Sequence, residues 1–141
     1  MDIETIRVII VDDHQMVRQA WKMLLHGEQG IEIIHECSSG AEVISIAPSL
    51  NPHIILMDIN MTPLDGFEAT SKILKTSPEI KIIGVSVNNQ PVYARKIMQL
   101  GASGYVTKNS TKEEMIRAIR EVRNGKTYIC HEVLQNMNEK K

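Results

Sequence analysis

Long apolar runs are missing from this chain. No stretch of its 141 residues approaches the roughly 20 consecutive apolar residues that a helix needs to cross a bilayer. The amino terminus, Met1-Asp2-Ile3-Glu4, carries acid where a secretory signal needs positive charge, and no apolar core of a signal follows it. Cysteine is scarce as well. Cys37 and Cys130 stand far apart and form no CxxC pair, so the expectation is two reduced thiols in a cytoplasmic protein. A surplus of one charge is also lacking. With a formal net charge of -1 and a pI near 6.5, no whole-chain field favours nucleic acid, and any DNA contact must come from elsewhere. Neither GxGxxG nor GxxxxGK[ST] occurs, which argues against a nucleotide- or flavin-binding module. There is no internal repeat and no low-complexity segment.

What is present describes one ordinary domain: 43% apolar and 23% charged residues, in a length sufficient for a single core. The stretch His53-Ile54-Ile55-Leu56-Met57-Asp58 reads as a parallel strand buried on both faces that ends at an aspartate, with a Pro63-Leu64-Asp65-Gly66 turn signal after it. A first strand over 5–11 stops at Asp12-Asp13-His14, and the helix after it places Met16, Val17, Ala20, Trp21, Leu24 and Leu25 on one face. A second strand covers 31–37. A short helix over 41–47 is then closed by Pro48 and the Asn51-Pro52 break. A third helix runs over 66–75, a fourth strand over 80–85 ends at Ser86, and Pro91 opens a fourth helix. A fifth strand over 104–107 leads straight into Lys108, and Ser110-Thr111-Lys112-Glu113 has the spacing of a capping box for the next helix. From Thr127 the pattern is ambiguous: a turn, then a helix over 132–137, with Asn138-Glu139-Lys140-Lys141 as a polar, solvated end.

Alternating strands and helices of this kind imply a flavodoxin-like (βα)5 fold. It is doubly wound, with a five-stranded parallel sheet in the order 2-1-3-4-5. In such a sheet the carboxyl ends of the strands face one rim, and the switch point lies between the first and third strands. That rim collects Asp12 and Asp13, Asp58, Ser86 and Lys108. Taken singly, an Asp-Asp pair before a helix is as often an N-cap, Ser86 a turn residue and Lys108 a solvated charge. Their coincidence on one rim is the signal. Unit charges about 4 Å apart at an effective dielectric near 20 repel by about 4 kcal/mol, so three clustered carboxylates need a counter-charge. Hard oxygen donors suit Mg²⁺ (or Mn²⁺), and Lys108 adds a second positive charge. The chemistry that fits is phosphoryl transfer onto the Asp58 carboxylate, where catalysis is mostly alignment and charge neutralisation. Asp12, Asp13, Asp58 and a backbone carbonyl near Asn60 would hold the metal, and Lys108 and the Ser86 hydroxyl would take phosphoryl oxygens.

These residues resemble the receiver domain of two-component response regulators over roughly residues 5 to 126. The motifs that carry the likeness are Val11-Asp12-Asp13-His14, Met57-Asp58-Ile59-Asn60-Met61 with Asp65-Gly66, Ser86, and Gly101-Ala102-Ser103-Gly104-Tyr105-Val106-Thr107-Lys108. The Asp-Asp-His start and the segment leading to Lys108 are most similar to the NarL/FixJ (LuxR-like) branch, whose members usually continue into a helix-turn-helix domain. The resemblance implies that Asp58 is the phosphoacceptor and that Tyr105 is a switch aromatic responding to Ser86. It further implies that Asn60 and Asn88 tune the lifetime of the phosphorylated state. The implied partners are a sensor histidine kinase or phosphotransfer protein and a second copy in a homodimer, with DNA reached only through an effector domain. The surface of the fourth helix, fifth strand and fifth helix would be the part that switches. The protein would assist its own phosphorylation and dephosphorylation without being a turnover enzyme.

Two departures from the family pattern stand out. Thr62 occupies the place where the family usually has proline, with Pro63 one position later, and no effector domain follows. A stand-alone regulator or a receiver excised from a longer protein would each satisfy the second. The NarL/FixJ likeness, with residues 127–141 read as a tail or the start of an interdomain linker, favours excision. A haloacid-dehalogenase-type phosphatase is the enzymatic alternative, but it needs an aspartate two residues after the nucleophile, and that position is Asn60.

Overall fold

The computed structural model describes residues 4–139, so Met1–Ile3 and the Lys140-Lys141 end of the expected solvated tail lie outside the described residues. The elements alternate as the pattern predicts: β1 (Ile6–Val11), α1 (Gln15–Leu25), β2 (Ile31–Cys37), α2 (Gly40–Leu50), β3 (Ile54–Asp58), α3 (Gly66–Thr76), β4 (Lys81–Ser86), α4 (Pro91–Gln99), β5 (Gly104–Thr107) and α5 (Lys112–Arg123). The sheet then departs from expectation. It has six strands in the order β2-β1-β3-β4-β5-β6, all parallel, not five. The sixth, β6 (Tyr128–Ile129), is followed by α6 (His131–Glu139), which contains the helix expected over 132–137. A two-residue strand is too short to show a period. It exists because the Tyr128 amide donates to the Ser103 carbonyl and the Cys130 amide to the Tyr105 carbonyl.

β3 is buried at every position, and β1 and β4 at nearly every one, which is why each reads as a continuous apolar run. β2, at one edge, is buried only at Ile31 and Cys37. Local signals miss in three places. α2 runs through the exposed Pro48 to Leu50, because that proline forgoes one backbone bond at the solvent face; Asn51, left-handed at φ 50°, closes the helix through its N–H to the Ala47 carbonyl. On α1 the row Val17-Trp21-Leu25 packs inward. The neighbouring row Met16-Ala20-Leu24 faces water, with Met16 83% exposed. The predicted face was wider than the surface the sheet offers. In place of the expected box, α5 has a single N-cap one residue later, with the Thr111 hydroxyl accepting from the Glu114 amide at 3.0 Å.

Candidate functional site

β1 and β3 are neighbours, and their register pairs Val11 with Met57, which brings Asp12 beside Asp58 at the same sheet edge. Both carboxylates are buried, at 2% and 1% exposure. Asp58 is held at its place by a close approach. A β-carbon on Gly66, the first residue of α3, would stand 2.3 Å from the Asp58 carbonyl oxygen, so only glycine fits there. Asp65 just before it caps α3, its carboxylate accepting from the Glu68 amide at 2.9 Å.

Lys108, at the end of β5, donates to Asp12 Oδ2 at 2.8 Å and lies 3.4 Å from Asp58 Oδ1. The Asn60 amide donates to that same Asp58 oxygen at 3.0 Å. Asp58 Oδ2 is buried and, among the described residues, has no hydrogen-bond partner. The charges record the same imbalance. Burial pushes the Asp58 carboxyl above the usual range, the field of Asp12 adds to it, and the Asn60 N–H and Lys108 only partly offset them. Burial disfavours the Lys108 ammonium too, but its hydrogen bond to Asp12 and the two carboxylate charges outweigh that and raise its pKa. Lys108 therefore serves Asp12 first, and the Asp58 charge is left incompletely compensated.

Asp12, Asp13, Asp58 and the His14 ring present one ligand atom each within 4.8 Å of one another, which makes this rim an acidic pocket. His14 joins the cluster because its Nδ1 lies 3.0 Å from Asp13 Oδ1 and 3.2 Å from Asp12 Oδ1. Ser86 is close by but turned aside. Its hydroxyl donates to Asn60 Oδ1 at 2.7 Å and accepts from the Asn88 amide at 3.0 Å. Tyr105 is fully buried, and its hydroxyl donates to the Asn88 carbonyl at 2.6 Å. The displaced proline forms a cis Thr62-Pro63 bond in an exposed loop and removes none of these side chains. Sequence reasoning missed Glu132 on α6, which reaches this neighbourhood through Asn89 and Thr107. An isolated surface glutamate carries no signal that could have found it.

A family model described as "Response regulator receiver domain" matches residues 8–120. The chain is 36% identical over 132 residues to response regulator GacA of Pseudomonas aeruginosa, covering 94% of this chain and 62% of that protein. It is 35% identical to response regulator UvrY of Escherichia coli, covering 94% and 61%. The chain thus spans less than two thirds of the length of these relatives. A LuxR-family two-component response regulator from Aurantimonas superposes with a TM-score of 0.91 at 29% identity, covering 96% of this chain and 97% of that one, in agreement with the expected NarL/FixJ likeness. Among described residues no helix is long and apolar enough to cross a membrane. With the acidic pair, the strand-end aspartate, the lysine and the hydroxyl gathered on one rim of a flavodoxin-like sheet, the chain belongs to the response regulator receiver domains of two-component systems.

Proposed function

We propose that Asp58 accepts a phosphoryl group from a histidine kinase or phosphotransfer protein, and that the exchange resets the face built from α4, β5 and α5. The observation that carries this is the buried Asp58 carboxylate, with the Lys108 ammonium 3.4 Å from Oδ1 and with Oδ2 unpartnered among the described residues. That oxygen is the nucleophile. It forms the new P–O bond as the P–N bond of the donor phosphohistidine breaks, and the imidazole leaves with the electron pair. The donor set of Asp12, Asp13 and Asp58, completed by the Asn60 backbone carbonyl, suits Mg²⁺ or Mn²⁺. The ion, when bound, neutralises charge on the transferring group. Lys108 turns from Asp12 to one phosphoryl oxygen, and the Ser86 hydroxyl leaves Asn60 for another. Asn60 and Asn88, which share the Ser86 hydroxyl, tune how long the acyl phosphate survives.

A phosphatase of the haloacid-dehalogenase type is disfavoured, since the required general acid is replaced by Asn60, whose side-chain oxygen accepts from Ser86. The protein acts as a cytoplasmic phosphoacceptor and not as a turnover enzyme. Residues 1–126 carry the phosphoacceptor site, and the 127–141 segment, whose β6 and α6 pack on the sheet and on α4, leads toward an effector domain through which DNA is reached; homodimerisation is the expected output. The test is Mg²⁺-dependent mass gain from acetyl phosphate. Asp58→Asn should abolish it, and incorporation that survives the substitution unchanged would move the site elsewhere.

A further inference from the structure

α6 lies against α4 and β5, the elements beside the phosphorylation site. Its apolar side is short: Val133 is buried and Met137 partly so, with Cys130 buried just before the helix. Its polar edge makes more specific contacts. Glu132 Oε2 accepts from Asn89 Nδ2 at 2.7 Å, and Asn136 Nδ2 donates to the Asn89 carbonyl at 2.8 Å. Glu132 Oε1 lies 2.9 Å from the Thr107 hydroxyl oxygen, which also lies 2.6 Å from Asn109 Oδ1, so its single proton is shared between two acceptors. One carboxylate therefore joins the loop after β4, which follows Ser86, to the end of β5, which precedes Lys108. The start of α6 is fixed separately, where Glu114 of α5 accepts from the His131 amide at 2.8 Å and the Tyr128 hydroxyl at 3.0 Å.

We propose that Glu132 is a positioning residue for the Asp58 site, and that docking of α6 and occupancy of Asp58 oppose each other. The inference rests on the phosphoacceptor reading above and deepens it. The connection is a continuous run of hydrogen bonds. Both the backbone and side-chain N–H groups of Asn88 donate to the Ser86 hydroxyl, at 3.0 and 3.2 Å. When that hydroxyl turns from Asn60 to a phosphoryl oxygen, Asn88 follows it. Asn89, the next residue, is the one that Glu132 and Asn136 grip, so the loop cannot shift and keep both contacts. Charge works in the same direction: a phosphoryl group adds negative charge near a carboxylate that already leans on Thr107, next to Lys108. β6 stays paired through Tyr105 and Ile129, and α6 lets go beyond it. Because coupling between sites is reciprocal, whatever loosens α6 strengthens occupancy of Asp58 by the same factor.

The experiment is amide hydrogen exchange on the full chain with and without beryllofluoride plus Mg²⁺, a phosphoryl stand-in. Exchange should change in loop 87–90, rise about fivefold or more in 131–138, and do neither in Asp58→Asn. A response in the loop with α6 unchanged overturns the coupling while leaving the phosphoacceptor reading intact. No response in either overturns both. In the second arm, Glu132→Ala should raise beryllofluoride affinity about fivefold, and Glu132→Gln, which keeps an acceptor for Asn89, should return it toward wild type. A substitution that merely damages the fold would lower the affinity, so an unchanged or lowered value overturns the proposal.

Discussion

The ends of β2 and β3 lie on the same rim, on either side of β1, and each gathers side chains of the kind that bind metals. At β3 the group is Asp12, Asp13, His14 and Asp58; at β2 it is His35, Cys37 and Glu42. The two differ in what is already satisfied. Glu42 accepts from the Ser38 amide at 2.9 Å, and its own amide donates to the Ser39 hydroxyl at 3.1 Å, an arrangement that caps α2. Burial pushes the Cys37 thiol up to about 12, so it stays protonated and inert. The β3 cluster instead contains a buried carboxylate oxygen with no partner among the described residues, and more negative than positive charge. Proximity of ligand atoms describes both sites. The unmet electrostatic demand at Asp58 is what sets the two corners apart.

The sharpest way to break this contrast is Asp58→Asn, which should remove all phosphoryl incorporation, while Glu42→Gln leaves the rate unchanged within about twofold; phosphodonor assays read both. Next in size, Lys108→Ala should slow incorporation about 10²–10³-fold by deleting one fixed charge aimed at the transferring group. The metal comparison follows. Mg²⁺ at 100 times its dissociation constant should stabilise wild type by about 2.7 kcal/mol in thermal unfolding, a gain lost in Asp13→Asn and kept in His35→Ala. In metal-free buffer at neutral pH, Asp58→Asn should be more stable than wild type by about 1–3 kcal/mol, since it removes an unsatisfied buried charge. The raised Asp58 carboxyl sets the sign. Its favourable contribution is present below the ordinary carboxylate pKa and is lost as pH rises through the folded value, so the gap closes on acidification. The smallest signal is chemical silence: neither Cys37 nor Cys130 should react with an alkylating reagent until the protein unfolds.

Much of this site was readable before any coordinates because the strands that carry it are buried on both faces. A run such as Ile54 to Met57 tolerates no polar residue, so the first one, Asp58, marks the rim. The same logic placed Asp12 and Ser86, while Lys108 follows the buried Thr107 that ends β5 and was placed by the end of the strand. It fails where burial does not dictate sequence. The β6 pairing rests on backbone bonds from Tyr128 and Cys130 that no side-chain pattern records. Met16 and Leu24 are apolar yet face water, and nothing in spacing separates their row from Val17 and Leu25. The direction of the Ser86 hydroxyl, toward Asn60 and not toward Asp58, is a choice between acceptors that composition cannot encode.

The contact between Gly66 and the Asp58 carbonyl reaches beyond the site itself. Together with the Gly66 amide, which donates to the Ile59 carbonyl at 3.3 Å, it staples the two ends of the intervening loop to each other. Between the staples, Asn60 and Asp65 are tied to Asp58 and to α3, while Thr62 and Pro63 are exposed, so the tip of the loop can change where its ends cannot. A substitution at that tip can thus reshape the surface beside Asp58 while its carboxylate stays where it was.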